Sequence, residues 1–493
     1  MALRVVSAIM FSPRGGSAHV ARALADGMRT QGCTVTLVAG SRRDLGAHGD
    51  ARAFYGDVRP VSFDLALASG APLRYDGPRG TAPLHPSFEE RSGAPDRVFA
   101  QLDDLDYERQ VRAWCRELER AGARRADVLY LHHLTPLNEA AARVAPDVPV
   151  VSQLHGTELL MLERIATGAP PAWRHAERWA ERMRGWAQRC ARLVVAPAGV
   201  DRSTRLLAVQ RERVAALPNG VDIDLFSPRP LDRGGFWRRV LVERPQGWLP
   251  GQPAGSARYG EAEAARLAAG TVLLYVGRFT AVKRLDRLIA AFARARPRFA
   301  RPAGLVLVGG HPGEWEGEHP ARVAGRLGVP DVFLAGWRGH DELPSFLSAA
   351  DAVVMSSERE QFGLVLIEGM ACGLPAVATR SLGPATIVED GRTGWLVELG
   401  DQTALEAALT AVVDDPRERE RRGRAARAAV RARFAWPNVA AQLVQLVEEV
   451  DAKGAPHARG QGYPVTMPAT AQPRPSPNSP ARGAKARTPD ASR

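Results

Sequence analysis

SSEREQFGLVLIEGMACGLPAVAT, residues 356–379, holds the pattern from which the fold follows. It comes after the short apolar run 352–355, suited to a buried parallel strand, and enters a helix carrying Leu364, Ile367, Glu368 and Ala371. A second apolar run, 376–378, follows Gly373 and Pro375. Strand, loop, helix, strand is the repeating unit of a parallel sheet covered on both faces. Glu360 and Glu368 are separated by seven residues. That spacing puts Glu360 on the loop before the helix and Glu368 about one turn inside it. Both carboxylates can then reach one ligand lying across the helix start. Each offers two oxygens to sugar or ribose hydroxyls, and the helix N-terminus adds unpaired N–H groups and partial positive charge suited to a diphosphate. Two glutamates alone would read as a solvated acidic loop. Phe362, Gly363, Gly373 and Pro375 around them turn the reading toward a site.

The same alternation extends on both sides. Residues 271–276 predict a strand, and 283–298 a helix whose Leu285, Leu288, Ile289 and Phe292 fall at i, i+3, i+4 and i+7. Further strands are predicted at 305–308 and 332–334. In the first half, strands are predicted at 3–10, 34–39, 127–131, 148–154 and 193–197, with a turn through Pro13, Gly15 and Gly16 leading into a helix over 17–31. Two such sets predict an α/β chain with two doubly wound domains. Residues 41–100 read as loops, and 232–270 shows no clear periodicity. From about Lys453 the chain is rich in Pro, Ala, Ser and Arg, and it is predicted to bury too little apolar surface to order itself.

With the Glu-x7-Glu spacing in view, residues 356–379 resemble the signature of family-4 retaining glycosyltransferases. LLYVGRFTAVKRLDRLIAAFA (273–293) resembles the opening of that family's donor half, and PNGVDIDLFSP (218–228) its interdomain segment. Weaker matches lie at 333–357, 389–401 and 434–446, so the resemblance spans most of 190–450. It implies two Rossmann-like domains facing a central cleft, the glycosyltransferase-B architecture. The expected division is an acceptor-binding domain at 1–217, a nucleotide-sugar-binding domain at 218–430 with an insert at 232–270, a helix at 431–452 packing back on the first domain, and the tail at 453–493. The implied reaction moves a hexosyl group from a UDP- or GDP-sugar to a hydroxyl acceptor, with retention. The nucleotide sugar is a substrate, no other cofactor is implied, and no metal is expected, since no Asp-x-Asp motif stands in a donor context. The alternatives are an epimerase or hydrolase on the same fold, or a nucleotide-sugar-binding protein without turnover.

By the same resemblance, Arg278 and Lys283 neutralise the donor diphosphate. Beside a diphosphate, a guanidinium and an ammonium form charge-assisted bonds and stabilise leaving-group charge. Glu360 is expected to hold the donor sugar's hydroxyls and Glu368 the ribose, with the backbone near Phe362, Gly363 and Leu364 touching phosphate or sugar. The base is expected near Trp337 and Arg338. Arg284 reads as facing solvent. Gly16 is expected to meet the diphosphate from across the cleft; PRGGSA lacks the G-x-G-x-x-G fingerprint, which argues against a nicotinamide cofactor. His155, after the run VVSQL, is expected to contact the donor sugar near the reacting carbon, with Glu158 orienting an acceptor or capping a helix. His132 and His133 are expected to line the acceptor side. An acidic residue common in this family is replaced by Thr386.

The composition is that of a globular chain: 493 residues, 45% apolar and 24% charged. The net charge is +12, but residues 451–493 hold seven Lys/Arg against two Asp/Glu and so contribute +5 of it. Nucleic acid is therefore not an expected partner, whereas an anionic sugar donor is. Cys33, Cys115, Cys190 and Cys372 show neither disulfide nor metal spacing, and no run approaches a membrane span or signal peptide. A cytoplasmic setting is the expectation.

Overall fold

Alternate residues of the strands feed opposite faces of each sheet. In β1 (Arg4–Ile9), Val6 and Ala8 join one apolar cluster while Val5 and Ile9 join another. The computed structural model describes residues 2–13, 15–90 and 95–452. Its first sheet contains β1, β2 (Thr34–Ser41), β3 (Arg59–Ser62), β4 (Val128–His132), β5 (Val150–Gln153), β6 (Arg192–Val195) and β7 (Val214–Ala216). They lie in the order β3-β2-β1-β4-β5-β6-β7 with parallel pairing throughout.

The second sheet contains β8 (Thr271–Val276), β9 (Ala303–Val308), β10 (Val332–Gly336), β11 (Ala352–Met355), β12 (Ala376–Thr379) and β13 (Gly394–Val397). Their order is β10-β9-β8-β11-β12-β13, again all parallel. The two doubly wound domains expected from the sequence are therefore present. Within β8, Val272 and Leu274 enter one core cluster and Leu273 and Tyr275 the other. Leu274 is fully buried, so truncating it to alanine would cost ~2–5 kcal/mol in transfer and cavity terms.

Each sheet reverses its direction of growth once, at β1/β4 and at β8/β11. In open parallel sheets ligands bind beyond the carboxyl ends of the strands at such a reversal. The helices that matter there are α1 (Gly16–Thr30), α2 (Thr157–Gly168), α3 (Val200–Leu207), α4 (Leu285–Ala295), α5 (Leu364–Ala371) and α6 (Trp436–Ala452). The C-terminal α6 lies on α1, where Val439, Leu443 and Val447 join the cluster of Val20, Leu24 and Met28. Gly27 leaves just enough room for Ala440. The chain passes between the halves twice, and the passages are paired: Val221 N–H donates to Phe434 O at 2.8 Å and Trp436 N–H to Val221 O at 3.2 Å.

Two stretches are more regular than the sequence predicted. Residues 41–100 contain β3 and short helices at Ala51–Tyr55 and Asp64–Ala68. The stretch 232–270 folds as helix Arg233–Arg238, a π-helical turn Arg239–Glu243 and helix Glu261–Ala269. Phe236, Trp237, Val240 and Leu241 bury that segment in the second domain's core, so its order comes from packing rather than from local periodicity. The tail expected at 453–493 lies outside the described residues.

Candidate functional site

The loops leaving β8 and β11 are tied together at the reversal of the second sheet. Ser356 Oγ donates to the carbonyls of Lys283 at 2.8 Å and Arg284 at 3.1 Å, and Glu358 N–H donates to Val282 O at 2.8 Å. Lys283 therefore stands on a 3-10 turn, Ala281–Lys283, ahead of α4 rather than within the predicted helix. Its Nζ pairs with the Glu360 carboxylate, both side chains being mostly buried at 19% and 17% exposure. Arg284 does not point freely into solvent as expected. Ion pairs to Asp286 at 2.9 Å and Glu358 at 3.2 Å hold it, in a left-handed backbone with φ 51°.

Arg278 is exposed and, among the described residues, meets no carboxylate. Its carbonyl accepts from the buried Tyr275 hydroxyl at 2.8 Å. Burial raises that hydroxyl's pKa above its ordinary value; the Glu360 charge adds to the rise and the Arg278 charge opposes it. Lys283 and Glu360 are thus in contact, and Arg278 lies close enough for both it and Glu360 to act on one phenol.

α5 begins at Gly363, whose φ of 102° brings the chain into the helix in a conformation that side chains resist. No acidic residue stands in its first turn to neutralise the N-terminal dipole. Phe362 is buried with its ring against Phe434, centroids 5.9 Å apart, so only its backbone is left for a ligand. Gly383 N–H donates to Glu360 O at 2.8 Å, and the Phe362 carbonyl leaves no space for a side chain at Gly383. Glu368, one turn in, is buried and accepts from His340 Nε2 at 2.8 Å.

The first domain closes on these elements from the other side. A Cβ on Gly16 would stand 3.4 Å from Leu364 Cδ1, and one on Gly156 2.9 Å from Gln361 Cγ. Arg202, on α3, donates to Gln361 Oε1 at 2.8 Å while paired with Glu163 of α2 at 2.8 Å, and Arg359 reaches Glu163 at 3.7 Å. The His19 ring of α1 lies 4.8 Å from the His340 ring. Burial first, then the neighbouring His340 and Arg22, lower His19 to about 4. Burial works against a charged His340 as well, but its bond to Glu368 prevails and raises the ring above its ordinary value.

His155 lies two residues beyond β5, and its ring meets those of His132, at 5.3 Å, and His133, at 4.4 Å. His132 Nδ1 and His155 Nε2 share a hydrogen bond of 3.1 Å. Burial, reinforced by the neighbouring imidazoles, lowers His132 to about 3 and His155 well below its usual value. Both are neutral at neutral pH; His132 is fully buried behind His155, and His155, partly exposed, is the one able to meet a hydroxyl. His133, at φ 68°, bonds the fully buried Glu158 at 2.6 Å. Glu158 also accepts from the His155 backbone N–H at 3.2 Å, so from the first turn of α2 it holds both His133 and the backbone just ahead of the helix start. Trp337 is exposed after β10 and stacks on His311 at 4.9 Å, while Arg338 is largely buried over Phe346. Thr386 turns its hydroxyl to Gly383 O at 2.8 Å. No group of three or more His, Cys, Asp or Glu able to hold a metal occurs among the described residues.

Sequence reasoning missed His340, His19, Gln361 and Arg202. They act across long chain separations, and no periodicity or spacing marks them. The nearest signal is Glu368 itself, because a carboxylate buried in a helix requires a donor to meet it.

Two family models match the chain: Glycosyltransferase Family 4 over residues 14–225 and Glycosyl transferases group 1 over 264–429. Glycogen synthase of Mycobacterium tuberculosis is 29% identical over 392 residues, covering 75% of this chain and 84% of the relative. D-inositol 3-phosphate glycosyltransferase of Xylanimonas cellulosilytica is 29% identical over 393 residues, covering 78% and 85%. Among solved structures, Anabaena Alr3699/HepE in complex with UDP superposes with a TM-score of 0.60 at 17% identity, covering 91% of this chain and all of that one; at that identity the likeness is one of fold.

Proposed function

Because the chain belongs to the glycosyltransferases of glycosyltransferase-B architecture, we propose that it transfers a hexosyl group from a nucleotide-diphosphate sugar to a hydroxyl acceptor, with retention and without a metal. The observation that carries this reading is the Lys283–Glu360 pair beside the unneutralised start of α5, with Arg278 exposed nearby. In the free enzyme Lys283 neutralises Glu360. An arriving pyrophosphate offers the ammonium a second anionic partner, which frees Glu360 to accept from sugar hydroxyls. Arg278, Lys283 and the first N–H groups of α5 would then stabilise the charge growing on the leaving phosphate, and the leaving phosphate takes the acceptor's proton. The neutral His155, next to the Gly156 that meets Gln361, would bond the sugar near the reacting carbon, and Glu368 the ribose. Closure of the two domains over the donor positions the reactants and excludes water.

The donor is proposed to be a UDP- or GDP-sugar, a choice that the UDP-bound fold neighbour supports. The acceptor is proposed to be a small polyol or related hydroxyl compound, in keeping with the inositol phosphate relative's name. A cytoplasmic setting is proposed: the four cysteines stand unpaired, and no helix among the described residues is long and apolar enough to cross a membrane. A thermal-shift screen of UDP-, GDP- and ADP-sugars tests the donor, and NMR of the product's anomeric configuration in the presence of EDTA tests retention and metal independence. Release of free sugar at a rate independent of acceptor would refute transfer.

A further inference from the structure

We propose that His340 is a positioning residue for nucleotide binding: it fixes the carboxylate plane of Glu368 so that one oxygen stays free and correctly aimed for a ribose hydroxyl. The inference rests on the reading of Glu368 as the ribose-binding group.

The Glu368 side chain is only 8% exposed. A carboxylate so buried is costly unless a donor meets it, and its last torsion is broad, with no staggered well to hold the plane. His340 Nε2–H supplies both needs, bonding Oε1 at 2.8 Å. The other oxygen, Oε2, is left as the acceptor. The imidazole is itself held on two sides. The Phe226 ring meets it edge-on at 5.1 Å, and the His19 ring of α1 lies 4.8 Å away. Around it stand Glu368 and Asp341, which favour its charge, and Arg22, which opposes it.

This arrangement spans the cleft. Gly16 and His19 are one turn apart at the start of α1, and they face Leu364 and His340, the latter bonded to Glu368. α5 is thus met by α1 at its first turn directly and at its second through the imidazole. Orientation of the ribose acceptor therefore depends on a side chain held between the two halves, not on the donor domain alone.

The test compares UDP with 2′,3′-dideoxy-UDP, and GDP with 2′,3′-dideoxy-GDP, by calorimetric titration of the full chain as wild type, H340A, H340Q, H340N and E368Q. Gln can place its amide nitrogen near the position of Nε2, whereas the shorter Asn cannot. A hydrogen bond to a charged group is worth roughly ten- to hundredfold in an equilibrium constant. H340A is expected to weaken the ribonucleotide about tenfold and to leave the dideoxynucleotide nearly unchanged, with H340Q restoring most of the loss and H340N little. Equal weakening of both nucleotides, weakening of neither, or equal behaviour of H340Q and H340N overturns the proposal; the Gln–Asn comparison stands even where H340A does not fold. Should E368Q weaken ribonucleotide and dideoxynucleotide equally, so that the wild-type preference for ribose persists, the reading of Glu368 fails first, independently of His340.

Discussion

Lys283→Ala separates the stabilising role of the central ion pair from its chemical one. Both partners are about four-fifths buried, so the pair lies between an exposed one, worth ~0.2–1 kcal/mol, and a fully buried one whose breaking costs ~3–5 kcal/mol. We expect a stability loss of about 1–2 kcal/mol, or roughly 2–8 °C in Tm for domains of this size. Most of that loss comes from Glu360 left uncompensated, so E360Q in the same chain should recover much of the Tm. Catalysis behaves differently. Removing one electrostatic contact to a developing anion costs ~3 kcal/mol, about a hundredfold in kcat, and neutralising Glu360 cannot restore it. The assay is initial-rate transfer with the best donor from the thermal-shift screen, alongside melting curves of wild type, K283A, E360Q and K283A/E360Q. K283A turnover within about threefold of wild type, or a double variant that regains rate together with Tm, would refute the reasoning.

Gly156→Ala forces a side chain into φ 96° and against Gln361; we expect ~1–3 kcal/mol of destabilisation and a several-fold rise in donor KM, both read from melts and steady-state kinetics. Arg202→Ala removes a tie between the domains, so donor KM should rise with kcat nearly constant and Tm should fall by the equivalent of ~1 kcal/mol; unchanged KM would show that the tie does not bear on closure. His340 has a raised pKa in the folded protein, so its contribution to stability is fully present below its unfolded value of about 6.5 and is lost as pH rises through the raised value. The Tm gap between wild type and H340Q should therefore be largest in mild acid and shrink above neutrality; a gap independent of pH would contradict the ion pair.

The strands that could be read from sequence are those with strongly apolar runs, most of them interior, such as VLLY in β8 and AVVM in β11, together with VFLAG in β10 at an edge. The ones missed are short or lie at sheet edges. β3 is RPVS, with Val61 alone fully buried, and β7 has three residues. Their pairing is imposed by the neighbouring strand, so little of it is written locally. The helix at 233–238 was hidden for a different reason. Its Gly pair and flanking arginines dilute the apolar pattern, and the burial of Phe236 and Trp237 exists only once the second sheet provides a surface. Within the site, Glu360 and Glu368 stood out because loop and helix geometry fixes where those positions go, and Lys283 stood out through the resemblance carried by residues 273–293. Partners such as His340, twenty-eight residues away from Glu368 along the chain, depend on how separate loops meet, which spacing does not encode.

The paired passages at Val221 and Phe434–Trp436 restrict how the enzyme can move. Two ribbons bonded side by side act as the pin of a door, and Gly220 leaves no room for anything but the Trp436 ring against it. A swing about that line leaves these bonds intact, whereas a slide of one passage along the other would break them. A bulkier residue at position 220 would jam the bearing while leaving every group in the cleft chemically intact. Such a variant should bind nucleotide yet turn over slowly, with the delay falling on product departure.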